Sequence, residues 1–174
     1  MPDEGAQTVQ LTSCIWCKAA VPDIDGPTHR YMESSPGCWA AYGQVLAREY
    51  SDVTFAANHR LTVDAYAVQH PGQPSPQSIQ SVCLHLVSLH LVLERGVDQS
   101  TATSLLPRLA GRKDLFRWLE PPDSMGGTTV NDVLAVTSPK QHREAVLGWA
   151  RSALSAWSAH HGIVRDWGSL ILPR

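Results

Sequence analysis

The feature that most constrains the fold is a run of apolar residues at helical spacing, which follows Ser75-Pro76 and stops at Gly96. Its apolar side chains recur mainly every three or four residues: Ile79, Val82, Cys83, Leu86, Leu89 and Leu93. This period is typical of a helix that buries one face. A hydroxyl residue before Pro commonly starts a helix, and Gly commonly ends one. We therefore predict a helix over residues 76–95, the longest in the chain.

Similar signals predict helices along most of the remaining chain. Cap residues, apolar stripes and Pro or Gly breaks predict further helical segments at 38–50 after Ser34-Ser35-Pro36, at 59–69 after Asn58, at 99–110, from a cap at Thr128 to residue 136, at 139–158, and within 160–172. Residues 111–127 are mixed and could hold a short extended segment. Because runs of alternating strands are absent, we predict an all-α (or nearly so) fold, a compact helical bundle.

Composition and charge narrow the class of protein. The 174 residues suit one domain, and 43% hydrophobic residues suffice for one core. We predict a flexible tail at 1–12 and a single helical zinc-binding domain at 13–174. The net charge is −2 without a basic run, which argues against nucleic acid or an anionic membrane as partner. Asp3 and Glu4 replace the positive start of a secretory signal, and no apolar stretch is long enough to span a bilayer, so we expect a cytoplasmic protein.

Three cysteines form the clearest chemical pattern. In the cytoplasm, cysteines are more often metal ligands or core thiols than disulfides. Cys14-x-x-Cys17 lies in a segment rich in Pro and Gly, and Cys38 lies at the start of a predicted helix, where the thiolate is favoured. Two sulfurs at this spacing can point at one ion, so we predict an N-terminal zinc-knuckle loop that binds Zn²⁺ through these thiolates. A redox dithiol would require a βαβ context, which is not visible.

A tetrahedral site needs a fourth ligand, and His is the commonest partner of three cysteines. The candidates are His70, His59 and His29, in that order. His70 comes first because it ends a predicted helix beside a Pro-Gly turn, where its ring can leave the helix surface. The remaining cysteine, Cys83, is flanked by Val and Leu in mid-helix and is predicted to be a core residue.

Two residues of the predicted helix 59–69 are candidates for catalysis. His59 and Tyr66 are seven residues apart, hence on one face, and could line a pocket wall beside the metal with His59 as acid or base. The more common alternative is that such groups satisfy helix ends and support the ligands. His85 and His90, five apart on the long helix, should point to different sides as core or boundary residues.

Three segments resemble a known family. They are Gly-Pro-Thr-His-Arg-Tyr at 26–31, Ser-Pro-Gly-Cys-Trp-Ala-Ala-Tyr-Gly at 35–43, and the run from 59 to 72, which contains Tyr66-x-x-Gln69-His70-Pro71. They resemble an uncharacterised family of small bacterial proteins, a domain of unknown function, and the similarity extends from Cys14 to about Trp167. The resemblance implies a bacterial origin and a metal site at Cys14, Cys17, Cys38 and the Gln-His-Pro motif, but no activity.

The knuckle departs from the family pattern. The usual family sequence is Cys-Pro-Gly-Cys-Gly, whereas this chain has Cys14-Ile-Trp-Cys17-Lys18. The two ligands are retained and the glycines are not, so we expect a looser turn.

Two classes of function follow from these patterns. The first is a zinc-stabilised helical module whose metal is structural and supports a pocket for a small-molecule ligand or a protein partner. The second is a zinc-dependent enzyme acting on a small molecule in a biosynthetic or stress pathway. A closed four-ligand site favours the first, and an open coordination position favours the second. Phosphate loops, the Gly-x-Ser-x-Gly elbow and His-Glu-x-x-His are absent.

Overall fold

Seven α-helices account for most of the chain in a computed structural model that describes residues 10–172. In chain order they are α1 Pro36–Ser51, α2 His59–Gln69, α3 Pro76–Leu93, α4 Gln99–Ala110, α5 Val130–Leu134, α6 Pro139–Ala156 and α7 His161–Ser169. The prediction of a nearly all-α fold is confirmed. The bounds of α2 and α4 match the prediction, and α1 begins two residues early because Pro36 occupies its first turn.

A two-stranded antiparallel sheet precedes the helices. Strand β1 covers Leu11–Ser13, strand β2 covers Ala20–Pro22, and Thr12 lies opposite Val21. Leu11 and Thr12, the last two residues of the predicted tail, thus belong to a strand. Residues 1–9 of the predicted tail lie outside the described part. Strands of three residues are too short to show the alternation by which a strand is recognised.

The segment between α4 and α6 also differs from the prediction. Residues 111–127 contain a short 3₁₀ helix, Lys113–Leu115, and no extended strand among the described residues. Helix α5 ends at Leu134 instead of residue 136. Its cap is Thr129, not Thr128, because the Thr129 side chain and the Asp132 carboxylate each accept a backbone N–H of the first turn.

Helix α2 lies at the centre of the bundle, packed between α3 and α6. Helices α4 and α7 pack on α3, while α5 packs on α1. The largest fully buried side chains come from α2 and from α6 and its end: Tyr66, Trp149 and Trp157. Within residues 10–172, no helix combines the length and hydropathy that a membrane span needs. The hairpin and the ends of α1 and α2 converge on one end of the bundle.

Candidate metal centre

The hairpin presents Cys14 and Cys17 from a closed turn. The backbone N–H of Cys14 donates to Ala19 O at 2.9 Å, and that of Lys18 donates to Cys14 O at 3.2 Å. Lys18 has φ 61°, in the left-handed region that favours glycine, and is the one non-glycine residue with positive φ in the described part of the chain. Two backbone hydrogen bonds therefore close the turn, and Lys18 adopts a backbone conformation that glycine would favour.

Close contact between the hairpin and α1 places Cys38 beside the turn. A Cβ atom on Gly37 would lie 2.2 Å from the carbonyl oxygen of Pro22, so only glycine lets the strand and helix approach this closely. The Sγ atoms of Cys17 and Cys38 are 3.7 Å apart. Ser35, at the N-cap of α1, does not cap the helix with its side chain. Its hydroxyl accepts the backbone N–H of Ile15 at 3.2 Å and so joins the helix start to the turn.

His70 reaches the sulfurs from the C-terminal end of α2. Its Nδ1–H donates to the Tyr66 carbonyl at 2.7 Å, which fixes the tautomer and leaves Nε2 without a proton. Nε2 lies 3.6 Å from the Sγ of Cys14 and 3.5 Å from the Sγ of Cys38. The ring thus presents a lone pair to the thiol group, as a metal-binding imidazole does.

The four donor atoms are close enough to surround one ion. They all lie within 4.8 Å of one another, and the four residues are at most 4% exposed. Zinc bonds of about 2.3 Å to sulfur and about 2.0 Å to nitrogen imply tetrahedral edges of about 3.8 Å between sulfurs and about 3.5 Å between sulfur and nitrogen. Three of the distances between donor atoms, 3.5–3.7 Å, agree with these edges. The group is compatible with a metal site.

The electrostatics of the three thiols favour a cation between them. Hydrogen bonds from the Cys17 and Cys38 thiols hold the pKa of Cys14 well below its usual range. The same interaction with Cys14, together with burial, raises the pKa of Cys17 to about 12 and that of Cys38 far above its usual range. One sulfur therefore ionises readily, and the other two need a positive charge nearby to do so.

Tyr66 is beside this group and His59 is not. The Tyr66 hydroxyl donates to Cys38 Sγ at 3.7 Å, and its ring stacks on Tyr42 with centroids 3.8 Å apart. Burial raises the pKa of the Tyr66 phenol well above its usual range. The side chain of His59 contacts Glu49 instead, with 2.7 Å between Nδ1 and Oε2.

The contacts of the His29 ring do not include the three thiols. Its Nδ1 accepts the backbone N–H of Met32 at 3.2 Å, and its ring packs edge-on against Tyr31 with centroids 4.5 Å apart. Its burial lowers the pKa of the imidazole. Of the three histidines considered as fourth ligand, the structure thus brings His70 to the cysteines.

Two buried carboxylates form polar centres whose partners the sequence did not predict. Glu49 interacts with His59, with His142 at 2.9 Å and with the Thr62 hydroxyl. Asp64 interacts with residues of α2 and α3: Arg60, His85 and Ser88. A signal existed, because Glu49 lies four residues after Val45 and Asp64 three after Leu61, each on the buried stripe of its helix.

Comparison with known proteins gives a family without an assigned activity. A family model with the description "Family of unknown function (DUF5946)" matches residues 12–158. This range includes β2, all of β1 except Leu11, α1 to α6 and all four members of the Cys/His group. Neither a search of curated proteins nor a search of solved structures returns a match. The matched range covers most of the chain, as the resemblance implied, and the chain belongs to this family of unknown function.

Proposed function

We propose that the protein holds one zinc ion through Cys14, Cys17, Cys38 and His70, and that the ion is structural. The observation that carries the proposal is the burial of all four donors around a space of tetrahedral size. The ion would tie the hairpin to the start of α1 and the end of α2. The hairpin already packs on α1 at Gly37, and α1 on α2 through the stacked Tyr42 and Tyr66 rings. The ion would add bonds from all three segments to one point and so fix their relative position.

The donor set selects the kind of metal. Three thiolates and one imidazole are soft and borderline ligands, which suit zinc and not Mg²⁺ or Ca²⁺, whose ligands are oxygens. The imidazole tautomer is already fixed by the Tyr66 carbonyl, and the Tyr66 hydroxyl donates to one sulfur. Outer hydrogen bonds of this kind orient ligands and reduce the charge on thiolate sulfur. This chain therefore supplies both the ligands and their support.

Burial of the donors favours a structural over a catalytic ion. A zinc enzyme that activates water keeps an open coordination position, and four protein donors leave none in a tetrahedral site. Tyr66 is itself fully buried, so it cannot meet a substrate from solvent. The role proposed for the ion is to order a surface on which a small molecule or a partner binds.

Metal analysis with ligand variants tests the proposal. Protein purified without chelator should contain about one zinc ion per chain, and its cobalt(II) form should show the visible absorption of a tetrahedral thiolate site. His70→Ala should lose most of the metal, while His29→Ala, the matched control, should keep it. Each of Cys14→Ser, Cys17→Ser and Cys38→Ser should also lose it, and Cys83→Ser should not.

Two results would contradict the proposal. Metal-free protein from a chelator-free preparation would exclude the site, and full retention of metal in His70→Ala would exclude this ligand. A cobalt spectrum typical of five- or six-fold coordination would instead indicate an open position and favour the enzyme alternative.

A further inference from the structure

A small cavity lies between the loop before α1 and the N-terminal half of α3. Its volume is about 210 Å³, and its lining residues are Tyr31, Gln77, Gln80, Ser81, Leu84 and His85. Pockets for drug-sized ligands are larger, about 300–1,000 Å³, so this cavity suits a fragment-sized molecule. It does not include any of the four metal-site residues.

The imidazole of His85 is held in one orientation at this cavity. Its Nδ1–H donates to Asp64 Oδ1 at 2.7 Å, and the side chain of His85 is 20% exposed. Because a carboxylate only accepts, Nδ1 carries the proton and Nε2 of the neutral ring carries a lone pair. Within residues 10–172, no protein group hydrogen-bonds this Nε2. The arrangement is that of an imidazole base oriented by a buried carboxylate.

The charge of Asp64 is balanced without His85. Arg60 forms a two-pronged ion pair with the carboxylate, at 2.8 Å from Nη2 and 3.1 Å from Nε, and the Ser88 hydroxyl donates to it at 2.5 Å. The buried carboxylate therefore has a counter-charge in Arg60, and its contact with His85 orients the imidazole ring that lines the cavity.

A second residue of the cavity wall, Ser81, has a polar group without a hydrogen-bond partner in the described part of the chain. Ser81 is one helical turn before His85 and so is on the same face of α3. Its hydroxyl is shielded from solvent and has no hydrogen-bond partner among the described residues. Because a hydroxyl without accessible surface cannot be reached from the cavity, Ser81 forms part of the wall, and His85 supplies the polar acceptor.

We propose that the cavity binds a small uncharged molecule with a hydroxyl group on an apolar body, such as an alcohol or a phenol. The ligand O–H would donate to His85 Nε2. Among the lining residues, only His85 belongs to a type that carries a positive charge and none to a type that is an acid at neutral pH, so an uncharged ligand suits the cavity. Leu84 and the Tyr31 ring supply apolar surface, and the amides of Gln77 and Gln80 supply further polar contacts.

One wall of the cavity depends on the metal site, and in this respect the inference rests on the proposed function. Gly72, two residues after His70, has φ 67°, and a Cβ there would lie 2.4 Å from Tyr31 O. The segment that follows His70 thus packs directly on the backbone of Tyr31. A metal that fixes His70 also fixes the position of this wall.

Binding of phenol and toluene to the metal-analysed full chain tests the inference. The two probes have nearly the same shape, and only phenol can donate a hydrogen bond. A titration followed by backbone amide chemical shifts should show saturable phenol binding at Ser81 and Leu84. The affinity for toluene should be roughly tenfold lower, which corresponds to the free energy of one net hydrogen bond. The nitrogen-15 resonance of His85 Nε2 should move with phenol and not with toluene.

Variants separate the imidazole from the rest of the cavity. His85→Leu should weaken phenol roughly tenfold and leave toluene unchanged, while His160→Leu, a histidine bonded to Glu120 O on another part of the surface, should change neither. Equal affinity for both probes, or phenol binding unaffected by His85→Leu, overturns the inference. Zinc-loaded protein without phenol binding overturns it and leaves the metal proposal intact. Phenol binding by protein that contains no metal supports the cavity and contradicts the metal proposal.

Discussion

At the scale of single residues, glycine identity decides how closely the metal-site segments approach. Gly37 lies against the Pro22 carbonyl where α1 meets β2, and Gly72 lies against the Tyr31 carbonyl after His70. A side chain at either position would push one segment away from the other. The Cys and His ligands therefore depend on neighbours that carry no chemistry of their own.

Gly37→Ala should weaken the metal site from outside the ligand set. The added Cβ would overlap the Pro22 carbonyl and displace the hairpin from α1, at a cost of about 1–3 kcal/mol, as for other overpacking changes. The zinc content and the thermal denaturation temperature should both fall.

Gly43→Ala is the matched control, because it lies in the same helix with nothing within 4 Å of the added atom. It should keep the metal and raise the free energy of unfolding by about 0.5–1 kcal/mol. Unchanged metal affinity in Gly37→Ala would show that the hairpin can move without loss of the site.

Residue-level prediction worked where the signal was local. The spacing of Cys14 and Cys17, and the place of His70 beside a Pro-Gly turn, were enough to predict that they belong to one group. The partners of Glu49 could not be predicted, because His142 is 93 positions away and only packing brings the two together. Periodicity showed that Glu49 faces the core, but not what it meets there.

At the scale of elements, α2 joins its neighbours through buried polar side chains. The Thr62 hydroxyl donates to Glu49 of α1, Asp64 accepts from Ser88 of α3, and Gln69 pairs with Trp149 of α6. The geometry of each hydrogen bond depends on the relative orientation of the two helices that it joins. These contacts explain how a central helix with mixed polar and apolar residues fixes the positions of three others.

Gln69→Leu tests this role of α2. The Gln69 amide accepts the Trp149 indole N–H at 2.7 Å and donates to Met125 O and Thr128 O at 2.8 and 2.9 Å. Leucine would leave these three groups buried without a partner, and we expect a loss of about 3 kcal/mol or more of unfolding free energy. Chemical denaturation, followed by tryptophan fluorescence, measures it.

Gln44→Leu, at an exposed position in α1, serves as the control and should change stability by less than about 0.5 kcal/mol. A loss in Gln69→Leu no larger than in this control would show that the polar contacts of α2 contribute little.

Element prediction succeeded for helices and failed for the hairpin for one physical reason. A helix of 11–18 residues repeats its apolar stripe several times, so its period can be recognised. Each strand has three residues, and its stability comes from the turn and from α1 rather than from its own pattern. The position of Asn58 was predicted correctly, but its contact was not. It lies at the N-cap of α2, and its side chain donates to Arg143 O instead of capping the helix.

At the scale of the whole molecule, the helical core and the N-terminal hairpin are stabilised by different interactions. The helical part has a continuous apolar core around Trp149 and Trp157, which are at most 1% exposed. The hairpin contributes Ala19 and Val21 to this core, whereas its Leu11 and Ile15 are 62% and 50% exposed. The metal should therefore matter most for the N-terminal third.

Removal of the metal should loosen the N-terminal third and leave most of the helical core folded. Zinc in thiolate sites contributes on the order of 10 kcal/mol, and here much of this free energy would order the hairpin, the start of α1 and the end of α2. A strong chelator should lower the melting temperature while the circular dichroism of the helices changes little. Thiol labelling gives a sharper readout, because Cys14, Cys17 and Cys38 should react after chelation, whereas Cys83 should stay protected: it is fully buried, and its burial raises the pKa of its thiol to about 12. Complete loss of helicity, or labelling of all four cysteines together, would show that the core depends on the metal. Labelling that is the same with and without chelator would place the metal elsewhere.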